Sequence, residues 1–258
     1  MAVVNTRLKD GVFEIELNRP EALNSLNDEL ALGLQEAVFE ARDNSSVRTV
    51  LIYGIGRGFC AGGDLKQLSN STGAIENKEF LQKCHQSVLG IYNLEKPVIA
   101  AVHGSAVGAG CNLALACDIV IAEENAVFSE VFAKVGAIPD FGGLYFLPQK
   151  IGMHKAAELI FTGKNLSAQE ALDYGLINEV VSDGQALEKG RELAMLLANG
   201  PTKTFGIAKR ILHQAPHLSL ENVLDLEALG QSVIFQTRDL KEGIEAFIEK
   251  RIPKFEGY

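Results

Sequence analysis

The feature that most constrains the fold is residues 97–118, PVIAAVHGSAVGAGCNLALACD. The pattern predicts a buried strand over 98–102, a tight glycine-bearing loop over 104–110 and a short apolar helix over 111–116. A helix that begins directly after such a loop leaves its first backbone N–H groups without an intrahelical partner. These groups can bind an anion or a developing oxyanion, although the glycines are equally expected in a plain turn.

A second glycine loop, residues 58–65 with the sequence GFCAGGDL, follows a continuous apolar strand predicted over 49–53. Strands and helices alternate up to residue 122, which favours an α/β core with parallel strand pairing. A third glycine-rich loop covers residues 136–143, GAIPDFGG, and strand signals nearly vanish after it. We therefore predict a core over 1–195 and a helical region over 196–258.

A polar stretch over residues 69–79 separates the second glycine loop from a helix predicted over 80–92. Polar connecting segments between site-bearing loops are often mobile and often functional. The stretch is therefore predicted to be a mobile loop that acts as a lid.

Composition and motif spacing indicate which partners the protein can bind and in which compartment it works. The net charge of −9 disfavours nucleic acid, whose binding depends on neutralisation of phosphates by Lys and Arg. The four cysteines form no CxxC pair and have no histidine at metal-ligand spacing, which predicts no metal site and reduced thiols in a cytoplasmic compartment. No targeting segment is recognised, and the longest apolar run is too short for a membrane partner.

Several common catalytic and cofactor motifs are absent from the sequence. The glycines match neither GxGxxG nor a P-loop, and residues 104–108, GSAVG, do not form the GxSxG nucleophile elbow. The two glycine loops therefore remain the main candidates for a site.

In combination, AVHGSAVGAGCNLALACD, GRGFCAGGDLKQL, VGAIPDFGG, NRPEALNSLN and EGIEAFIEKRIPKF resemble the crotonase (enoyl-CoA hydratase/isomerase) superfamily. The resemblance covers essentially the whole chain and is strongest to the isomerase branch that acts on epoxyphenylacetyl-CoA and 3-enoyl-CoA. It implies an α/β fold made of a spiral of ββα units with a C-terminal helical region. It also implies a homotrimer or a dimer of trimers, an acyl-CoA thioester as substrate and no separate cofactor.

The resemblance also assigns site residues. The two backbone donors of the oxyanion hole fall on Gly63 and Ala109, which agrees with the glycine-loop argument. The positions that line the substrate channel are Ala22, Leu23, Ala61, Gly63, Asp64, Leu65, Ala109 and Phe132.

The chain departs from the hydratase pattern at both glutamate positions, which are occupied by Asn112 and Phe132. Neither side chain can act as a base near neutral pH. Asp140 is the available acid and matches the aspartate of family members that shift double bonds. An isomerase with Asp140 as its single base is therefore the leading hypothesis. The alternatives are a hydratase that uses Glu130 or Asp140, and a non-catalytic acyl-CoA-binding or RNA-binding protein.

Overall fold

The computed structural model describes residues 2–69 and 73–258 of the 258-residue chain. Two sheets and a series of helices make up this part of the protein. The strands are β1 (Val4–Lys9), β2 (Val12–Leu17), β3 (Thr49–Gly54), β4 (Val98–Val102), β5 (Ser105–Val107), β6 (Ile119–Glu123), β7 (Val127–Ser129), β8 (Asn165–Ser167) and β9 (Glu179–Val181). The helices are α1 (Asp28–Asp43), α2 (Leu65–Ser69), α3 (Ala74–Asn93), α4 (Ala109–Leu115), α5 (Gly143–Thr162), α6 (Ala168–Asp173), α7 (Ala186–Ala198), α8 (Thr202–Gln214), α9 (Leu220–Ile234) and α10 (Arg238–Glu249).

The larger sheet has the strand order β1-β2-β3-β4-β6-β9, and only the β1–β2 pair is antiparallel. Asp10 and Gly11 join that pair, and both have the positive φ that a tight hairpin turn requires. Every residue of β3 and β4 is buried, as expected for continuous apolar strands covered on both faces. The predicted α/β class is confirmed.

A second sheet of three short strands, β5-β7-β8, stands beside the glycine loops. Its first strand, β5, lies inside the segment 104–110 that was predicted to be only a tight loop. Strands of three residues are too short to show an alternating hydrophobic pattern, so the sequence did not reveal them.

Local sequence determines where several helices begin. The side chain of Asn27 accepts a hydrogen bond from the backbone N–H of Leu30 at 3.0 Å and caps α1 as predicted. Ser167 and Glu170 form the predicted capping box of α6.

The region predicted to be a mobile loop is partly helical. Residue 69 ends α2 and residues 74–79 form the first turns of α3, so the loop prediction is wrong for these residues. Residues 70–72 lie outside the described part of the chain. The beginning of α3 was missed because its residues 74–79 are exposed and polar apart from Ala74 and Ile75.

The helices after the third glycine loop cover the sheet and then extend beyond it. The predicted boundary at 195 falls within α7, whose Ala194 and Ala198 pack against Leu51, Ile99 and Ile121 of the large sheet. The division into 1–195 and 196–258 stays a prediction. Among the helices of the described ranges, none combines the length and apolar character needed to cross a membrane.

Candidate active site

The two glycine loops lie against each other beside the small sheet. The backbone N–H of Cys60 donates to Ser105 O at 2.9 Å, and that of Val107 donates to Cys60 O at 3.0 Å. A Cβ atom on Gly110 would lie 2.1 Å from Cys60 O, so only glycine allows this approach. The first turn of α4 is therefore packed directly on the loop that precedes Gly63.

Gly63 and Ala109 line the same cavity. Leu26 forms backbone hydrogen bonds with both neighbours of Gly63. Its N–H donates to Gly62 O at 2.7 Å, and its carbonyl accepts from the backbone N–H of Asp64 at 2.9 Å. Ala109 is the first residue of α4, two residues earlier than predicted, so its N–H is one of the unpaired donors of a helix start. Within residues 2–69 and 73–258, neither amide has a hydrogen-bond partner.

The cavity between these amides has a volume of about 30 Å³. The side chains that close it come from the segments after β2, from α3 and from the loop before α5. The lining residues are Leu26, Gly63, Asp64, Gln67, Phe80, Leu81, Cys84, Ala109, Asp140 and Phe141. The structure therefore brings Asp140, Gly63 and Ala109 together at one cavity, although they are far apart in sequence.

Asp140 is the carboxyl group of this cavity that lies in an apolar environment. Its Oδ1 atom is buried without a hydrogen-bond partner among the described residues, and burial raises its pKa to about 6. Phe141, which follows it, has φ of +50°, an uncommon conformation for a bulky residue. The carbonyl of Asp140 accepts from the backbone N–H of Gly143 at 3.0 Å, which closes the turn into α5.

Asp64, the other acid of the cavity, is held by an ion pair. Arg19 Nη2 lies 3.1 Å from Asp64 Oδ2, and both side chains are largely buried. The guanidinium group holds the pKa of Asp64 below its ordinary value. Asp64 therefore remains ionised and fixes the loop next to Gly63.

The other predicted channel residues lie around the cavity without lining it. Ala61 donates its backbone N–H to Leu23 O at 3.0 Å, next to Ala22, and Leu65 is 61% exposed. The ring of Phe132 lies next to Gly108, because a Cβ added there would be 3.5 Å from the ring. Their role in binding stays a prediction.

Sequence analysis did not identify Glu130 as a buried neighbour of this site. Its side chain is only 1% exposed, and its Oε2 lies 3.4 Å from Asn112 Nδ2. Burial raises the pKa of Glu130 to about 8. A glutamate is usually solvated, and its position directly after the short strand β7 is the one signal that could have indicated burial.

No group of three or more His, Cys, Asp or Glu residues in the described ranges is arranged to hold a metal ion.

Comparisons with known proteins identify the family of this chain. Residues 7–258 match the sequence model of the family "Enoyl-CoA hydratase/isomerase". The 1,2-epoxyphenylacetyl-CoA isomerase of Escherichia coli is 39% identical over 266 residues, which cover 100% of this chain and 99% of that protein. The short-chain-enoyl-CoA hydratase of Clostridium acetobutylicum is 35% identical over 252 residues, covering 97% and 95%.

Solved structures show the same fold. The crystal structure of an enoyl-CoA hydratase from Polaromonas sp. JS666 superposes with a TM-score of 0.95 at 34% identity, covering 98% of this chain and 99% of that one. Together with the family match, the crotonase fold and the paired glycine loops lead to one conclusion: this chain belongs to the enoyl-CoA hydratase/isomerase family of enzymes.

Proposed function

We propose that the protein is an acyl-CoA isomerase that converts a 3-enoyl-CoA thioester into its 2-enoyl isomer. The observation that carries the proposal is the position of Asp140, which lines one cavity together with Gly63 and Ala109. The two positions that hold glutamates in typical hydratases are occupied by Asn112 and Phe132. The similarity to an isomerase over the full length of the chain supports the same choice.

The reaction needs one base and one oxyanion site. Asp140 removes a proton from C2 of the acyl group, and the charge moves onto the thioester oxygen as an enolate. The N–H groups of Gly63 and Ala109 stabilise this oxygen, and each such donor contributes about 2.7–4 kcal/mol in a water-excluded site. Protonated Asp140 then returns the proton at C4, so the carboxylate is regenerated and the atoms balance.

The environment of Asp140 suits this role. A base works best when its pKa lies near the working pH, and burial raises the pKa of Asp140 to about 6. The carboxylate is then ionised at neutral pH and still basic enough to carry a proton. The acyl group and the pathway, phenylacetate or fatty-acid metabolism, stay predictions from the resemblance.

Hydration of a 2-enoyl-CoA is the second candidate. One observation favours it. Glu130 is a second buried acid, and it lies beside Asn112, which occupies one of the two glutamate positions of typical hydratases. Against it, Glu130 is 1% exposed and does not line the cavity, so no route to a substrate water is evident among the described residues.

A paired assay separates the two candidates. The protein is given 3-hexenoyl-CoA and crotonyl-CoA in separate reactions, with wild type, Asp140→Asn and the exposed control Asp225→Asn compared. We expect conjugation of the 3-enoyl substrate, little hydration, and a loss of about 10²–10⁴-fold in Asp140→Asn, the range for a general base. Dominant hydration that survives Asp140→Asn contradicts the proposal.

A further inference from the structure

A buried polar cluster lies directly behind the Asp140 loop. Asn112 is fully buried, and its Nδ2 donates to the backbone carbonyl of Asp140 at 2.9 Å and to Glu130 Oε2 at 3.4 Å. The two contacts occupy both hydrogens of this amide. The side chain of Asn112 therefore links a backbone carbonyl of the cavity loop to a buried acid.

This link joins the two halves of the candidate site. Asn112 lies in α4, three residues after Ala109, so one short helix carries both an oxyanion donor and the contact to the Asp140 loop. The approach is close: a Cβ atom on Gly143 would lie 2.4 Å from Asn112 Nδ2. Glycine at 143 lets the loop close on the amide, which fixes the distance between Asp140 and the helix.

Glu130 accepts the second hydrogen of the Asn112 amide. If the amide were rotated by 180°, its oxygen would face the Asp140 carbonyl, which can only accept, so this carbonyl sets the orientation of the amide. The groups that face Glu130 are Cys111 and Asn112 from α4 and Asp140 from the loop before α5. No cation forms an ion pair with Glu130 in the described ranges. Burial and the Asp140 charge raise its pKa to about 8, so it is mainly protonated at neutral pH.

We propose that Asn112 and Glu130 are positioning residues for Asp140: the Asn112 amide holds the main chain of Asp140 against α4, and Glu130 accepts the second hydrogen of that amide and keeps it in place. The assignment of Asp140 as base rests on the function proposed above, whereas the positioning itself is a statement about the free protein. Neither side chain lines the cavity, so neither touches the reacting atoms directly.

The kinetic test compares Asn112→Ala, Glu130→Gln and Glu130→Leu, each also combined with Asp140→Asn. We expect Asn112→Ala to lower kcat by about 10²-fold with little change in KM, because a displacement near 1 Å has such an effect. Glu130→Leu lowers kcat in the same way, and Glu130→Gln restores most of it because its amide oxygen still accepts from Asn112. In the Asp140→Asn background, Asn112→Ala causes no further loss.

A second measurement does not depend on turnover. In protein labelled with carbon-13 at aspartate carboxyl groups, the Asp140 signal is identified by its absence in Asp140→Asn and titrated by NMR. We expect Asn112→Ala to move the pKa of Asp140 down from about 6 towards the ordinary value of about 3.9, because the released loop becomes hydrated.

The two readouts separate the possible failures. Additive losses in the double variant, or an Asp140 titration unchanged by Asn112→Ala, overturn the positioning proposal. A fully active Asp140→Asn overturns the proposed function alone, and the NMR titration then still decides the positioning.

An inactive Glu130→Gln variant that is folded and binds substrate assigns the base to Glu130 and also overturns the positioning proposal. If Asn112→Ala does not fold, the titration is made on Glu130→Leu against Glu130→Gln, which have similar side-chain volumes.

Discussion

Single residues control the electrostatics of this site. Glu130 and Asp140 are buried acids in one cluster, and desolvation is the largest cause of the raised pKa of each. Their ionisation inside the protein is disfavoured, whereas both are fully ionised in the unfolded chain at neutral pH. Each of these buried acids therefore lowers the stability of the fold at neutral pH.

The sign of the effect on stability follows from proton binding. Between the ordinary pKa near 4.5 and the folded-state pKa of about 8, Glu130 holds a proton in the native state and has lost it in the unfolded state. Stability contributed by its neutral form is therefore complete below about pH 4.5 and is lost as the pH rises to 8. The slope is at most about 1.4 kcal/mol per pH unit.

We predict that Glu130→Gln removes the part of the pH dependence of the unfolding free energy that Glu130 causes. The variant should therefore become increasingly more stable than wild type between pH 5 and pH 8. Urea unfolding of both proteins at pH 5, 6.5 and 8 measures it, with exposed Glu221→Gln as the control. A difference between Glu130→Gln and wild type that stays constant with pH would contradict the prediction.

At the scale of elements, the central feature is α4, all of whose residues are buried. The sequence predicted this helix, β3 and β4 to within two residues at each end, because continuous apolar runs beside glycine loops are compatible with few other secondary structures. It did not predict β5, β7 and β8, whose pairing depends on partners distant in the chain. The motifs predicted Gly63, Ala109 and Asp140 as site residues, and the structure places all three at one cavity, whereas the burial of Glu130 depends on tertiary packing that no local pattern encodes.

The contact of α4 with the second glycine loop gives a prediction at this scale. In Gly110→Ala the new Cβ atom meets Cys60 O at 2.1 Å, and backbone on either side must move. We expect a loss of more than about 3 kcal/mol in the free energy of unfolding, at the upper end for overpacking. Urea denaturation measures the loss.

Gly33→Ala is the matched control, because Gly33 is also helical. Its new Cβ atom would meet the side chain of Val4 at 3.1 Å, which can shift, and alanine favours a helix. We expect a change within about 1 kcal/mol. Equal losses of unfolding free energy in the two variants would show that the contact with Cys60 O does not cause the loss in Gly110→Ala.

At the scale of the whole molecule, the C-terminal end is tied back to the sheet through Arg48, just before β3. Its guanidinium group donates to Phe255 O at 2.9 Å, to Gly200 O at 2.6 Å and to Thr202 Oγ1 at 3.1 Å. The planar guanidinium group of Arg48 thus makes three hydrogen bonds to segments more than 150 residues away in the chain. Lysine has a single nitrogen on a flexible stem and cannot reproduce this geometry.

We predict that Arg48→Met lowers the free energy of unfolding by about 3 kcal/mol, the range for hydrogen bonds to a charged group. It also speeds tryptic cleavage after Lys254, because the tail is released. Arg48→Lys recovers only part of the loss. Cleavage of the folded protein at an unchanged rate in Arg48→Met would show that the tail is held by other contacts.

The predicted homotrimer or dimer of trimers also belongs to this scale and stays a prediction. The helices α8–α10 carry many exposed apolar side chains: Leu212, Leu220, Leu224, Leu229, Val233, Phe247 and Ile248. Apolar patches of this kind commonly mark protein interfaces. The predictions of cytoplasmic location and of no nucleic-acid partner likewise stay open.

The small volume of the cavity has a thermodynamic consequence. About 30 Å³ accommodates one or two water molecules, which is far less than an acyl chain requires. If the acyl group occupies this cavity as proposed, side chains that line it, such as Phe80 and Leu81, move apart, and that displacement costs free energy. Contacts with the distant nucleotide end of the substrate are a natural source of this energy, so a truncated thioester should lose turnover as well as affinity.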